Sequence, residues 1–139
     1  HKGAVERAVA LVKDYGIKRG VLLPVSAPFH CPLMQPAADA MAEALGASPP
    51  AAPLVPVVAN VTASPVSDAD TIRDLLVQQV TGRVRWRESV ALMEDIGVGQ
   101  FVEFGGKVLS PMVKRSASGE VETVSLISMD DIEALLKTL

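Results

Sequence analysis

The chain has 139 residues, of which 49% are hydrophobic, and this length and composition suit one packed globular domain rather than a disordered segment. Its 13 Lys and Arg against 16 Asp and Glu give a formal net charge of -3, which disfavours a nucleic-acid-binding protein because such proteins usually carry a basic excess. One cysteine excludes an internal disulfide, and two histidines leave no paired Cys/His spacing for zinc, so no metal site is expected.

The sequence also bears on where the protein resides. No apolar run approaches the roughly 18 residues that a membrane-spanning helix needs, and the first residues lack the layout of a signal peptide. We therefore expect a cytoplasmic protein. The chain starts at His1 and enters a helical pattern at once, so we expect that an earlier part of the polypeptide is missing.

Helices and strands are predicted to alternate along the first half of the chain. Apolar residues from Ala4 to Val12 recur at helical spacing, and Gly16 follows where a helix would end. The run Gly20–Val25 suits a short buried strand, which places the segment after it in a loop. A second helix is predicted from Met34 to Leu45, before a proline-rich extended connector over residues 48–53.

The second half continues this alternation. Residues 54–59 suit a strand, and Ser67 or Asp68 can cap a helix through Val80, because a short side-chain oxygen accepts from the free N–H groups of the first turn. The remaining elements are a helix over 86–96, a strand over 100–104, a helix to about residue 115, a strand over 121–128 and a helix over 129–136. This order predicts an α/β fold with mainly parallel strand pairing.

One histidine, His30, lies in the loop VSAPFHCPLM that follows the first predicted strand. Ligands collect at the carboxyl ends of strands in open α/β sheets, and Pro28 and Pro32 restrict this loop, so it suits an imidazole held as a general base. The alternative is a structural histidine satisfied by backbone groups in a rigid turn, and local features alone favour it slightly. Adjacent Cys31 is expected to be a buried structural thiol, because neighbouring side chains of an extended segment point to opposite faces.

Two further features of the sequence are possible binding sites. The glycines on either side of residues 100–104 resemble a phosphate loop, but a Walker motif would need glycine at Phe101 and Ser or Thr at Val108. Basic residues form the second feature, which is either a solvated face or a docking surface for an acidic partner or a phosphorylated carrier. They are Arg83, Arg85 and Arg87 around Trp86, with Lys107, Lys114 and Arg115 further along.

Several blocks of sequence carry a resemblance to a known family. After the opening HKGAVERA they read, in chain order, VSAPFHCPLM, PAADAMAEAL, VPVVANVTA, IRDLLVQQVTGRVRWRESV and FVEFGGKVLSPMVKR. Together they resemble the C-terminal part of bacterial malonyl-CoA:acyl carrier protein transacylases over nearly the whole chain. Acyltransferase domains of polyketide and fatty acid synthases share the histidine but usually diverge in the later blocks.

The resemblance implies transfer of a malonyl group from malonyl-CoA to the phosphopantetheine thiol of acyl carrier protein, through a serine ester and with no cofactor of the enzyme's own. His30 matches the family's general base, and Gln79 matches the residue whose backbone carbonyl orients that histidine. Asn60 matches an asparagine near the active site, which we expect to bind substrate. The implied partners are acyl carrier protein, malonyl-CoA and the N-terminal remainder of the same enzyme, with neither nucleic acid nor a membrane among them.

The resemblance also implies a division of the fold. Residues 26–139 would form the C-terminal portion of an α/β hydrolase-like acyltransferase domain, and residues 1–25 would be the last helix and strand of an inserted ferredoxin-like small domain. The family's nucleophilic serine, oxyanion segment and carboxylate-binding arginine would all precede His1, so the chain alone is expected to be inactive. The alternative function is a non-catalytic carrier-binding or structural module derived from this fold. At Gly105-Gly106-Lys107 most relatives have one more residue, so a tighter turn is expected there.

Overall fold

The structure, a computed structural model, describes residues 1–138, along which six α-helices and four β-strands are formed. The helices are α1 Lys2–Leu11, α2 Gln35–Ala47, α3 Ala69–Thr81, α4 Trp86–Asp95, α5 Leu109–Ser116 and α6 Met129–Leu136. The strands are β1 Val57–Ala59, β2 Ser64–Val66, β3 Gln100–Phe104 and β4 Glu122–Leu126. No helix within residues 1–138 is long and apolar enough to cross a membrane.

The strands form two separate pairs. β1 and β2 make an antiparallel hairpin with Val57 opposite Val66, whereas β3 and β4 are parallel with Gln100 opposite Glu122. The parallel pair needs a crossover, and α5 supplies it. The prediction of mixed helices and strands is confirmed, but parallel pairing holds for only one of the two pairs, because β2 returns at once after β1.

The predicted strand over Gly20–Val25 is wrong. This stretch pairs with no strand within residues 1–138, and its local hydrogen bond joins the Val25 N–H to the Leu23 carbonyl at 2.9 Å. Strand structure requires a neighbour for its ladder of hydrogen bonds, and apolar composition alone does not supply one. Leu22 and Leu23 are 50% and 72% exposed instead of buried.

The other predicted elements are present, with shifted ends. The first confirmed strand begins at Val57 rather than Leu54, because Pro56 has no N–H to donate to a ladder. The hairpin partner β2 was not predicted, since Ser64-Pro65-Val66 is short and contains a proline. The helix predictions after residue 30 are confirmed to within one or two residues, although α2 continues through Gly46 to Ala47.

Side-chain caps begin two of the helices. The Asp68 carboxylate starts α3, accepting from the Thr71 N–H at 2.8 Å and from its hydroxyl at 2.6 Å, and these bonds lower the pKa of Asp68. Ser128 and Asp131 form a reciprocal capping box at α6. The predicted cap at Asp68 is thereby confirmed.

Glu103 fixes the turn at residues 105–107. Its carboxylate accepts from the N–H groups of Val108, Leu109 and Ser110 at 2.8–2.9 Å, and from the Ser110 hydroxyl at 2.9 Å. Partial burial opposes the charge on Glu103, but these hydrogen bonds outweigh it and hold the pKa at about 2. Gly105 makes this turn with a φ of 84°, which glycine adopts without strain. The end of β3 and the start of α5 are therefore joined through one side chain.

The buried core is small. It consists of Ala38 in α2, Ile72 in α3, Val90 in α4, Val113 in α5 and Leu126 in β4. Val90 is fully buried, and its helix α4 packs against α5. Many other apolar side chains stay exposed, including Leu54 and Phe104.

Candidate active site

His30 has an unusual backbone conformation. Its φ of 58° lies in the left-handed region, which few residues other than glycine occupy, although histidine is one of the types enriched there. The residue lies between the irregular segment 17–29 and a short 3-10 turn over Pro32–Met34, and its side chain is exposed. Strained residues of this kind persist where their surroundings hold them, and they cluster at functional sites.

The His30 ring faces two backbone carbonyl groups. Its Nδ1 atom lies 3.2 Å from the Gln79 oxygen and 3.2 Å from the Gly82 oxygen. Carbonyl oxygens only accept hydrogen bonds, so Nδ1 must carry the proton in order to donate to either of them. In the neutral ring this leaves Nε2 without a proton, and an unprotonated Nε2 is the atom that can take one from a nucleophile.

The end of α3 explains why these carbonyls are free. The last carbonyls of a helix have no partner within it, and here the Gly82 N–H closes the helix on the Gln78 oxygen at 3.0 Å. The Gln79 oxygen, one residue later, is left to accept from His30. There is no space for a side chain at Gly82, since a Cβ there would lie 2.9 Å from Val61 Cγ2 and 3.0 Å from the Gln78 oxygen.

Asn60 follows β1 directly and binds protein backbone. Its Oδ1 atom accepts from the Arg85 N–H at 2.9 Å, at the residue just before α4. The same half-buried asparagine and Gln79 border a mainly apolar cavity of about 210 Å³ between β1 and α3. The structure thus brings Asn60 to the neighbourhood of the residue that contacts His30, while its substrate-binding role stays a prediction.

Cys31 is partly rather than fully buried. Its thiol donates to the Pro28 carbonyl at 3.0 Å, across the loop that carries His30. This contact is that of a structural thiol, as expected, but the burial is less complete than predicted.

The predicted basic residues differ in how freely they face solvent. Arg85 is half-buried, with Nε 2.9 Å from Glu88 Oε1 and Nη1 2.9 Å from the Thr62 oxygen. The hydrogen bond from Arg85 is the main cause that lowers the pKa of Glu88. Arg83 also reaches Glu88, at 3.4 Å, but stays exposed. The others are exposed, namely Arg87, Lys107, Lys114 and Arg115.

Other features of the described residues add no second site. Within residues 1–138, no group of three or more His, Cys, Asp or Glu side chains is placed to hold a metal ion. The segment between the glycines at 99 and 105 is strand β3, so the reading as a phosphate loop fails in the structure too. Trp86 Nε1 is buried and finds no hydrogen-bond partner in this part of the chain.

The sequence did not predict two contacts at the site, although Arg85 itself was among the candidate basic residues. Gly82, whose carbonyl faces His30, and Arg85, which binds Asn60, lie in the short loop between α3 and α4. For Gly82 the only local signal was its place directly after a predicted helix. Glycine is common at helix ends, so this place predicts no contact with a distant residue. Distances of 52 and 25 residues along the chain separate these pairs, and spacing in the sequence cannot predict such pairings.

Comparisons with known proteins agree with one another. No family model matches the chain. The malonyl CoA-acyl carrier protein transacylase of Salmonella typhimurium is 44% identical over 140 residues, covering 100% of this chain and 44% of the relative. The Bacillus subtilis protein of the same name is 38% identical over 136 residues, covering 97% of this chain and 43% of the relative.

Solved structures give the same result. An acyl-carrier-protein-S-malonyltransferase from Bartonella henselae superposes with a TM-score of 0.87 at 48% identity, covering 98% of this chain and 43% of that one. A malonyl-transacylase solved with its type II polyketide synthase acyl carrier protein gives a TM-score of 0.87 at 38% identity, with 99% and 45% covered. The chain spans less than half the length of these proteins. It belongs to the malonyl-CoA:acyl carrier protein transacylase family and corresponds to the C-terminal part of its members.

Proposed function

We propose that this chain is the part of a malonyl-CoA:acyl carrier protein transacylase that carries the general base, His30. The observation that carries the proposal is the pair of carbonyl contacts at Nδ1, because they leave Nε2 as the proton acceptor. None of the described residues places a serine hydroxyl in hydrogen-bond contact with the ring, so the nucleophilic serine is assigned to sequence outside this chain.

The proposed reaction has two halves that use the same base. His30 Nε2 takes the serine proton, the serine oxygen bonds to the thioester carbon of malonyl-CoA, and the C–S bond breaks as the CoA sulfur takes the proton back from the ring. The phosphopantetheine thiol of acyl carrier protein then gives its proton to Nε2 and attacks the malonyl-serine ester, and the serine oxygen recovers the proton on leaving. The Gln79 and Gly82 oxygens keep the ring oriented. They also accept from Nδ1–H while the ring is positively charged, with protons on both nitrogens.

The division of the fold and the partners are part of this proposal. The malonyl-transacylase solved with its acyl carrier protein supports acyl carrier protein as the partner of the complete enzyme. The name of the bacterial relatives, malonyl CoA-acyl carrier protein transacylase, supports malonyl-CoA as the donor. Residues 1–25 are assigned to the small ferredoxin-like domain, and residues 26–139 to the large acyltransferase domain. Among the basic residues, Arg85 is engaged within the protein, so the exposed candidates for an acidic carrier are Arg83, Lys107, Lys114 and Arg115.

Replacing His30 tests the proposed base. In the complete enzyme His30→Asn should slow formation of the malonyl-serine ester about 100- to 10,000-fold, because asparagine cannot take a proton while it still tolerates a left-handed backbone. The measurement is single-turnover acylation by malonyl-CoA, followed by intact-protein mass. Cys31→Ser is the matched control, since a serine hydroxyl can still donate to the Pro28 carbonyl.

Near-normal acylation in His30→Asn would remove His30 from the mechanism. A complete wild-type protein that binds acyl carrier protein but is never acylated would instead support the non-catalytic module.

A second substitution tests how Gln79 acts. Gln79→Ala should cost far less acylation rate than His30→Asn, because the backbone carbonyl 3.2 Å from Nδ1 survives the change. The two variants are compared in the same single-turnover assay. A loss as large as that of the histidine variant would assign the role to the Gln79 side chain.

A further inference from the structure

The loop between α3 and α4, residues 82–85, carries one of the two carbonyls that face His30. The Gln79 oxygen belongs to α3 and is fixed by the helix, whereas the Gly82 oxygen lies just beyond its end. The position of the Gly82 carbonyl therefore depends on what holds this loop.

The turn that follows β1, residues 60–62, holds the loop at both ends. At one end Gly82 lies so close to Val61 that a Cβ would come within 2.9 Å of Val61 Cγ2. At the other end Asn60 Oδ1 accepts from the Arg85 N–H at 2.9 Å, and Arg85 Nη1 donates to the Thr62 oxygen at 2.9 Å. The Asn60 bond is part-buried, which shields it from competition with water.

We propose that Asn60 is a positioning residue, which holds the 82–85 loop so that the Gly82 carbonyl accepts from His30 Nδ1. Through this contact Asn60 favours the Nδ1–H tautomer and keeps Nε2 free for the proton of the nucleophile. The proposal rests on the proposed function of His30 and refines the role expected of Asn60, because the Oδ1 atom is engaged with Arg85 rather than open to substrate.

The acceptor atom of Asn60 gives a sharp test in the complete enzyme. Asn60→Ala removes the acceptor for the Arg85 N–H, so kcat should fall by up to about 100-fold while KM for malonyl-CoA stays unchanged. Asn60→Asp keeps an acceptor oxygen and should restore most of the lost kcat. A substrate-binding asparagine would behave differently, since Asn60→Ala would raise KM and a carboxylate facing malonate would raise it further.

A second variant moves the loop without touching Asn60. The Cβ of Gly82→Ala would collide with Val61 Cγ2 and the Gln78 oxygen, so this variant should show the same fall in kcat at unchanged KM. The double variant Asn60→Ala/Gly82→Ala should lose less than the product of the two single losses, because both act on one carbonyl. Ser67→Ala, at an exposed residue just after the hairpin, is the control and should leave kcat unchanged.

The ring tautomer provides a readout that a purely structural role would not move. In ring ¹⁵N NMR spectra, with the His30 signals assigned by their absence from His30→Asn, the wild type should show Nδ1–H. In Asn60→Ala and Gly82→Ala a larger share of the folded protein should carry the proton on Nε2. The thermal midpoint of each variant is measured as well, and the signal of any unfolded protein is subtracted.

The outcomes separate this proposal from the proposed function. If His30→Asn abolishes acylation but Asn60→Ala keeps kcat and the Nδ1–H tautomer, the positioning role is wrong and the base is retained. If Asn60→Asp loses as much kcat as Asn60→Ala, the acceptor atom is not what matters and the positioning role is again wrong. If His30→Asn acylates normally, the proposed function itself fails, whereas the tautomer shift in the Asn60 variants still tests the contact.

Discussion

His30 is held by its backbone as well as by its ring contacts. Its left-handed φ of 58° costs free energy. Its ring, in turn, is held by the contacts of Nδ1 with the Gln79 and Gly82 carbonyls. Backbone conformation and side-chain chemistry therefore restrict the choice of residue at this position independently, and substitutions can separate the two.

The backbone restriction is tested by comparing two variants of His30. His30→Val should unfold at a lower temperature than His30→Asn, because a β-branched residue is strained at positive φ, whereas asparagine is tolerated there. The difference in unfolding free energy should be about 1 kcal/mol or more, measured by thermal and urea unfolding. Equal stabilities would mean that the loop relaxes to negative φ at little cost.

At the residue scale, the sequence predicted some site features and could not predict others. The sequence predicted that His30 lies in a loop restricted by prolines. These local features still favoured a structural histidine slightly over a general base. Gln79 entered only through the family resemblance, because a backbone carbonyl has no signature in the sequence. The bond between Asn60 and Arg85 joins residues 25 positions apart, so only the folded hairpin and loop bring them together.

At the scale of elements, β3, α5 and β4 form a unit whose junction depends on Glu103. The carboxylate accepts from three successive N–H groups at the start of α5, where the helix dipole also favours negative charge. The Ser110 hydroxyl that binds Glu103 also contacts the Ser125 hydroxyl on β4 at 2.8 Å. One charged side chain thereby links all three elements.

This charge predicts an acid-sensitive contribution to stability. The folded pKa of Glu103 is about 2, below its ordinary value of 4.5, so the stabilisation is fully present above pH 4.5 and is lost as the pH falls toward 2. Glu103→Gln should lower the thermal midpoint at pH 7, and its midpoint should fall less steeply with acid than that of the wild type. Circular dichroism melts from pH 7 to pH 2 measure both effects.

A control separates Glu103 from other acidic groups. Asp68, Glu88 and Asp131 also have lowered pKa values, so some acid sensitivity should remain in Glu103→Gln. Glu122→Gln, on the exposed face of neighbouring β4, should follow the wild-type curve. A Glu103→Gln curve parallel to that of the wild type would contradict the assigned contribution.

Helices were predicted better than strands, for a physical reason. A helix completes its backbone hydrogen bonds within one segment, so a local pattern was enough to place α6 over residues 129–136. A strand completes its bonds only with a neighbour, and the apolar run Gly20–Val25 has no partner strand within residues 1–138. The hairpin strand β2 was missed for the opposite reason, since its pairing with β1 outweighs its poor strand composition.

For the whole molecule, the main feature is apolar surface that the chain itself does not cover. A groove between α1 and segment 21–25 has a volume of about 650 Å³. Its lining residues are Lys2, Val5, Val21, Leu22, Leu23 and Val25. Contiguous apolar surface of this kind marks a site that another segment or molecule covers.

The exposed groove predicts dye binding by the 139-residue chain produced on its own. It should enhance the fluorescence of anilinonaphthalene sulfonate while circular dichroism shows its helices intact, and Leu23→Ser/Val25→Ser should weaken that signal. Leu136→Ser removes a comparably exposed leucine outside the groove and should weaken it less. Fluorescence no higher than that of the complete enzyme would show that the groove closes by itself.

The Glu103 cap also bears on the order in which the chain folds. Its bonds span only five to seven residues, whereas pairing β3 with β4 must bring together residues 22 positions apart. Closing a short loop costs less conformational entropy, so α5 can be anchored to the end of β3 before β4 arrives. The carboxylate would then act as an early nucleation contact, which makes residues 103–110 the template onto which the rest of this βαβ unit assembles.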